Sequence, residues 1–192
     1  SYMRTTLPEF SRTFDIAPGG QVVLTSADFA LINDQPVGLR YTSNLPISAM
    51  STVMQNGDSD ASTAASVAGT RFLFGDAFMD PTLAGSKFFE TLYIYNPSNV
   101  NAAITINLKF TDGTSTSFVR NVASRRFDEV RLHERPELTS RSGPTWFSME
   151  LSTGTIDKGG TPFMVTLTHY DLLLGGGWAT TPVPVGFVKS EE

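Results

Sequence analysis

Two histidines and no cysteine narrow the chemistry open to this chain of 192 residues. His133 stands in "RLHERPE", which is not a His-Glu-x-x-His zinc motif, and Pro136 would break the helix that motif needs. His169 alternates with Phe163, Val165 and Leu167, which places it at the end of a core face. A hydrogen-bonded or surface role without chemistry is the expectation for both rings. No Gly-x-Ser-x-Gly elbow and no phosphate-cradling glycine loop is present. Nothing local argues for an enzyme, so the expectation is no catalytic residue and no organic cofactor.

Carboxylates and aromatics support two binding hypotheses. Asp58 and Asp60 in "NGDSD", with Asp76 and Asp80 in "GDAFMDP", could give oxygens to calcium, a hard cation that suits clustered loop carboxylates. The order of an EF-hand loop is absent, and solvated turn aspartates are the commoner origin of such residues. Trp178, Trp146 and Tyr170 could stack on sugar rings, with Trp178, just after three glycines, as the better platform. Core packing is the usual use of such rings, and Trp146 opens the alternating run Phe147, Met149, Leu151. Arg120, Arg125, Arg126, Arg131, Arg135 and Arg141 crowd one segment, which suggests an anion site. Asp128, Glu129, Glu134 and Glu137 are interleaved with them, so ion pairing on a solvated face is the expected use.

Composition sets the surroundings of these residues. A formal net charge of -5 gives no general pull toward nucleic acid or anionic lipid. Charged residues are 17%, below the roughly 25% of ordinary soluble domains. Ser, Thr, Asn and Gly fill the difference, a habit of bacterial extracellular β proteins. No apolar run reaches the ~18 residues of a spanning helix, so membrane insertion by a helix is not expected.

The elements that must position these side chains are strands. In "AAITINLKF", Ala102, Ile104, Ile106, Leu108 and Phe110 share one face, and Ala103, Thr105, Asn107 and Lys109 the other. "TLYIY" is apolar on both faces and belongs mid-sheet or under a covering loop. Asn96-Pro97 ends it, and Asp112-Gly113 turns the chain into "STSFVRNV", so the three runs read as a meander. Further strands are expected at "SRTFDI", "QVVLT", "GLRYTS", "ISAMSTVM", "TRFLFG", "FDEVRL", "WFSMELS", "FMVTLTHY" and "VGFVK". "NGDSDASTAASVAG", from 56 to 69, reads as a loop or linker, and "HERPEL" as at most one helical turn. Many short strands between such turns indicate an all-β antiparallel sandwich.

Self-comparison adds a repeat. "FSRTFDIAPGGQVVL" resembles "FVRNVASRRFDEVRL", and "VGLRYTSNLPISAMSTVM" resembles "WFSMELST" followed by "TPFMVTLTHY". The offset is about 105 to 116 residues, the length of one immunoglobulin-like unit. Residues 1–60 then form a partial sandwich unit docked on a complete unit at 61–192. A half sandwich leaves an apolar face and an edge uncovered. Closure within the chain, giving one enlarged sandwich and a monomer, is the expected solution. A neighbouring molecule, giving a dimer or a strand-complemented filament, is the alternative.

"FLFGDAF" followed by "FFETLYIYNPSNVNAAITINLKFTDGT" resembles a tandem immunoglobulin- or fibronectin-like repeat of bacterial secreted and cell-surface proteins. Phe72, Phe74, Gly75, Asn96, Pro97, Asp112, Gly113, Arg120 and Pro162 match its pattern, over roughly residues 70 to 180 with a half copy before them. The resemblance implies a sandwich of poorly known function and no catalytic residues. The expected role is a non-enzymatic structural, adhesive or assembly module, extracellular or on a bacterial surface. Its partners would be other surface proteins or copies of itself. A carbohydrate-binding module is the alternative.

Overall fold

The structure, a computed structural model, describes residues 2–3, 11–29, 38–55, 58–64, 67–85, 87–154, 160–173, 175–180 and 182–185. Side chains are described for these except at 2–3, 26, 29, 53–55, 58–60, 63 and 183–184. In chain order the strands are β1 (Tyr2–Met3), β2 (Gly38–Leu39), β3 (Met50–Gln55), β4 (Asp58–Thr63), β5 (Arg71–Met79), β6 (Phe88–Tyr95), β7 (Ala102–Phe110), β8 (Ser115–Val122) and β9 (Phe127–Arg131). The single-turn helix α1 (Pro136–Thr139) follows, then β10 (Thr145–Ser152), β11 (Met164–Asp171), β12 (Gly176–Thr180) and β13 (Val183–Pro184).

The protein is an all-β antiparallel sandwich. One sheet runs β13-β5-β10-β7-β8, the other β12-β11-β6-β9. Period-2 alternation drives the apolar half of each strand inward. Ile104, Ile106 and Leu108 of β7 and Met149 and Leu151 of β10 meet Leu92 and Ile94 of β6 and Leu167 of β11, all at most 1% exposed. In β5 the alternation slips. Gly75 and Asp76 together face Ser148, a bulge that leaves both exposed and returns Ala77 and Met79 to the core.

The meander expectation needs correction. β7 and β8 pair as read, but β6 lies in the other sheet, so Asn96-Pro97 opens a crossover and not a hairpin. Asn96 itself is fully buried. Its side-chain amide donates to the carbonyls of Val100 at 2.8 Å and of Val122 and Ala123 at 3.1 Å. Its Oδ1 accepts the Ser98 N–H at 2.9 Å. Val122 and Ala123 begin the second crossover, from β8 to β9. The polar turn after an apolar strand is therefore a knot that ties two crossovers together.

"TLYIY" is covered on its outer face, as its two apolar faces require. Tyr93 stacks on Phe127 at 5.6 Å, and the backbone of Gly38 lies on Phe127, with room for a Cβ only 3.4 Å from that ring. A segment of the N-terminal region thus supplies the cover.

Two other readings change. Residues 11–16 and 21–25, expected as strands, carry no strand pairing among the described residues, and Phe14 and Ile16 stand 41% and 49% exposed. Alternation specifies a face for such a run but no partner. Residues 58–63, expected within a linker, form β4 against β3, with the Ser51 and Ser62 hydroxyls 3.2 Å apart. The boundary expected at residue 60 falls inside β4. Of "VGFVK", residues 186–189 lie outside the described set.

Candidate functional site

Glu90 and His169 on one inner face, with Trp178 in register beside them and His133 across β6, make a polar spot in the core. On β6 the inward residues are Phe88, Glu90, Leu92 and Ile94, so a single charge sits among apolar neighbours. The β11 register sets His169 opposite Glu90, and the β12 register sets Trp178 opposite His169. His169 Nδ1 lies 3.2 Å from Glu90 Oε1. The same oxygen accepts the Phe78 N–H of β5, at 3.2 Å, across the gap between the sheets. On the other side of β6, His133 Nδ1 lies 2.9 Å from the Glu90 carbonyl oxygen. A carbonyl only accepts, so His133 carries its proton on Nδ1. Both histidines of the chain therefore bond to one residue.

Glu90 is 0% exposed and its Oε2 has no protein partner. Burial raises its pKa above the usual 4.5, against the opposing pull of the His169 hydrogen bond and charge and of the Phe78 N–H; the Asp76 carboxylate pushes the same way as burial. An acid–base pair of this kind can hold or move a proton. Glu90 is fully buried and His169 is 7% exposed, and the plain effect of the pair is to clamp β5 to the facing sheet.

Aromatic rings extend the cluster to the surface. Trp178 stacks on His169 at 5.4 Å with 14° between planes, His169 meets Phe88 at 5.7 Å, Phe88 meets Phe78 at 5.5 Å, and Phe78 meets Trp146 at 4.7 Å. The two tryptophans are the exposed ends of this arc, at 53% for Trp146 and 37% for Trp178. Each has one face on an aromatic neighbour. Tyr170, grouped with them as a sugar-stacking candidate, is buried at 5% and presents no ring to solvent.

Of the expected calcium ligands, Asp58 and Asp60 lie on β4, Asp76 on β5 and Asp80 just after it. Asp76 is exposed on the β5 bulge. Asp80 Oδ1 is engaged by the Thr82 N–H and hydroxyl at 2.9 and 2.7 Å. Asp58 and Asp60 have backbones in β4, and their side chains lie outside the described set. Among the described residues no group of three or more His, Asp or Glu side chains is arranged to hold a metal.

Three of the six arginines pair with the interleaved acids, and Arg141 pairs with Asp112. Arg120 of β8 bridges to Asp128 of β9, with Nη2 2.9 Å from Oδ1, and so joins the end strands of the two sheets. Arg131 bonds Glu129 at 2.8 Å and Glu134 at 3.2 Å, and Arg135 bonds Glu137 at 2.7 Å while lying 4.1 Å over the Phe118 ring. Arg141 pairs with Asp112 and lies 4.0 Å over Phe110. Between β8 and β9, Arg120, Asp128, Glu129, Arg131, Glu134 and Arg135 line an open groove of about 540 Å³.

Reading the sequence by residue type passed over Glu90. Its signal was present: in "FFETLYIY" it is the one charge on the face that carries Phe88, Leu92 and Ile94.

No protein-family model matches the chain, and no curated protein matches it by sequence. Among solved structures it is similar to the crystal structure of Thermotoga maritima 1070, at 16% identity and a TM-score of 0.49, over 61% of this chain and 95% of that one. It is similar also to the Anabaena sensory rhodopsin transducer, at 19% identity and a TM-score of 0.42, over 54% of this chain and 91% of that one. Both are all-β folds of antiparallel sheets.

Proposed function

We propose that the chain is a non-enzymatic structural or assembly module, an immunoglobulin-like sandwich of a bacterial extracellular or cell-surface protein. The observation that carries this reading is the open side of the sandwich. β8 and β9, the end strands of the two sheets, flank a groove whose charges are spent on one another. Such a surface suits another polypeptide better than a charged small ligand. The non-enzymatic part is supported by the two imidazoles, both engaged with Glu90 and each 7% exposed. The extracellular part is supported by the low charge content and the repeat resemblance.

Sedimentation velocity of the full chain over a wide concentration range tests assembly. In place of the monomer expected from the repeat, the open side between β8 and β9 supports reversible association, and a strict monomer at the highest concentration would sink this reading. The exposed tryptophans favour a second reading, carbohydrate binding. A glycan array with Trp178→Ala and Trp146→Ala controls decides that point: sugar binding lost in either variant puts the second reading first.

A further inference from the structure

We propose that β8 is the seam of a symmetric dimer, in which the β8 strands of two copies pair antiparallel and join two five-stranded sheets into one. The inference rests on the assembly reading and names its surface.

The hydrogen-bond parity of β8 follows from its turn. The Phe110 N–H donates to the Thr114 carbonyl at 2.9 Å, and the pairing continues as Leu108 with Thr116, Ile106 with Phe118 and Ile104 with Arg120. Alternate residues of an antiparallel pair exchange bonds, so Thr116, Phe118, Arg120 and Val122 direct their backbone groups at β7. Ser115, Ser117, Val119 and Asn121 direct theirs away from the sheet. No strand meets that edge among the described residues.

Sheet edges are normally guarded by shortness, lysine, proline or a covering element. The other end strands are guarded. β13 has two residues, one of them Pro184; β9 has five, of which Asp128, Glu129 and Arg131 are charged; β12 also has five, and starts with Gly176 and Gly177. β8 has eight residues, no proline and no lysine. Its one charge, Arg120, is tied to Asp128. Val119, in the middle of the edge, is 59% exposed.

A second copy fits this edge by its own sequence. Centred on Val119, antiparallel self-pairing sets Val119 against Val119 of the second copy, Ser117 against Asn121 and Arg120 against Phe118. No like charges meet, the outward backbone groups find partners, and the exposed valines cover each other.

Substitution at the symmetry axis gives a test that a general loss of folding cannot imitate. In the full chain, Val119→Lys and Val119→Glu each set like charges face to face, and each is expected to weaken self-association about tenfold. A 1:1 mixture of the two variants sets opposite charges face to face and is expected to restore it at low salt. Val119→Pro removes an outward N–H and no bond to β7, so it is expected to abolish association with little change in melting temperature. If the wild-type chain associates and all three variants associate equally well, the β8 seam is overturned while the assembly reading stands. If the variants weaken association and the mixture does not restore it, the symmetric register is overturned. If the wild-type chain never associates, both fall.

Discussion

His169 Nδ1 sits 3.2 Å from Glu90 Oε1 on the inner face of the sandwich, where Glu90 is fully buried and its second oxygen has no protein partner. A carboxylate in that position favours its neutral form, so the pair is a source of pH dependence as well as of cohesion.

The sign follows from the direction of the shift. Burial raises the Glu90 pKa in the folded chain above 4.5. Its contribution to stability is then full below the unfolded value and is lost as pH rises through the folded value. Asp112, which is exposed, and the half-buried Glu137 and Glu150 are held low by their partners and act in the opposite sense, losing stability as pH falls. The difference between wild type and Glu90→Gln isolates the buried group. The Gln variant is expected to gain stability relative to wild type as pH is raised from 4.5 to 8, by urea denaturation at each pH. A constant difference would show that the Glu90 carboxyl has the same pKa in the folded and the unfolded chain. Glu90→Ala, which strips the Phe78 N–H and His169 of their partner, is expected to cost about 2–4 kcal/mol.

Calcium is expected to do little. A cation bound only by the folded state raises the melting temperature by mass action. Asp80 is committed to its own turn and Asp76 lies on an exposed bulge. Saturating calcium should leave the melting temperature within about 1 °C. A rise of several degrees that Asp76→Asn abolishes would establish a metal site instead.

Much of the sandwich is legible in the sequence because a strand with one wet face shows its period directly. Ala102, Ile104, Ile106, Leu108 and Phe110 are all buried, as their alternation requires, and His169 does end a core face. The crossover after β6 was not legible. A hairpin and a crossover both need a short polar turn, and what separates them here is a bond from Asn96 to carbonyls 26 and 27 residues away. Glu90 was hidden for a related reason. One of its partners is the backbone N–H of Phe78, which every residue but proline owns. Residues 11–16 show the converse, since their alternation is sound and no strand among the described residues pairs with them.

The Asp112-Gly113 turn gives a prediction with no packing component. The Gly113 N–H donates to the Phe110 carbonyl, and Gly113 has φ 83, the left-handed residue of a bulged three-residue hairpin loop. A Cβ there would meet nothing within 4 Å. The cost of Gly113→Val is therefore conformational, about 1–3 kcal/mol, read as a lower urea midpoint. Gly113→Asn, which tolerates that region, should cost distinctly less. Equal midpoints for wild type and the valine variant would remove the turn from the account.

Asn96 allows the strongest test of how the two sheets are joined. Two amide hydrogens serve three carbonyls, at Val100, Val122 and Ala123, and the Asn96 N–H donates to the Arg126 carbonyl at 2.9 Å. Nearby, Asn99 Oδ1 accepts from Arg125 Nε and Asn101 Oδ1 from the Ser124 N–H, so three asparagines of one crossover hold the other. Asn99 and Asn101 are exposed, and water replaces their bonds at small cost. Asn96 is not, so Asn96→Ala leaves buried carbonyls without donors and is expected to lose about 2–4 kcal/mol. Asn96→Asp keeps the shape and the acceptor for the Ser98 N–H but sets a carboxylate oxygen, in place of the amide nitrogen, against the carbonyls, and should lose more at pH 7 than at pH 4, where a protonated carboxyl can donate one bond. Asn99→Ala and Asn101→Ala should each stay within about 1 kcal/mol of wild type. If Asn96→Ala falls in that same range by urea denaturation, the crossovers are held by strand packing alone and the amide knot is incidental.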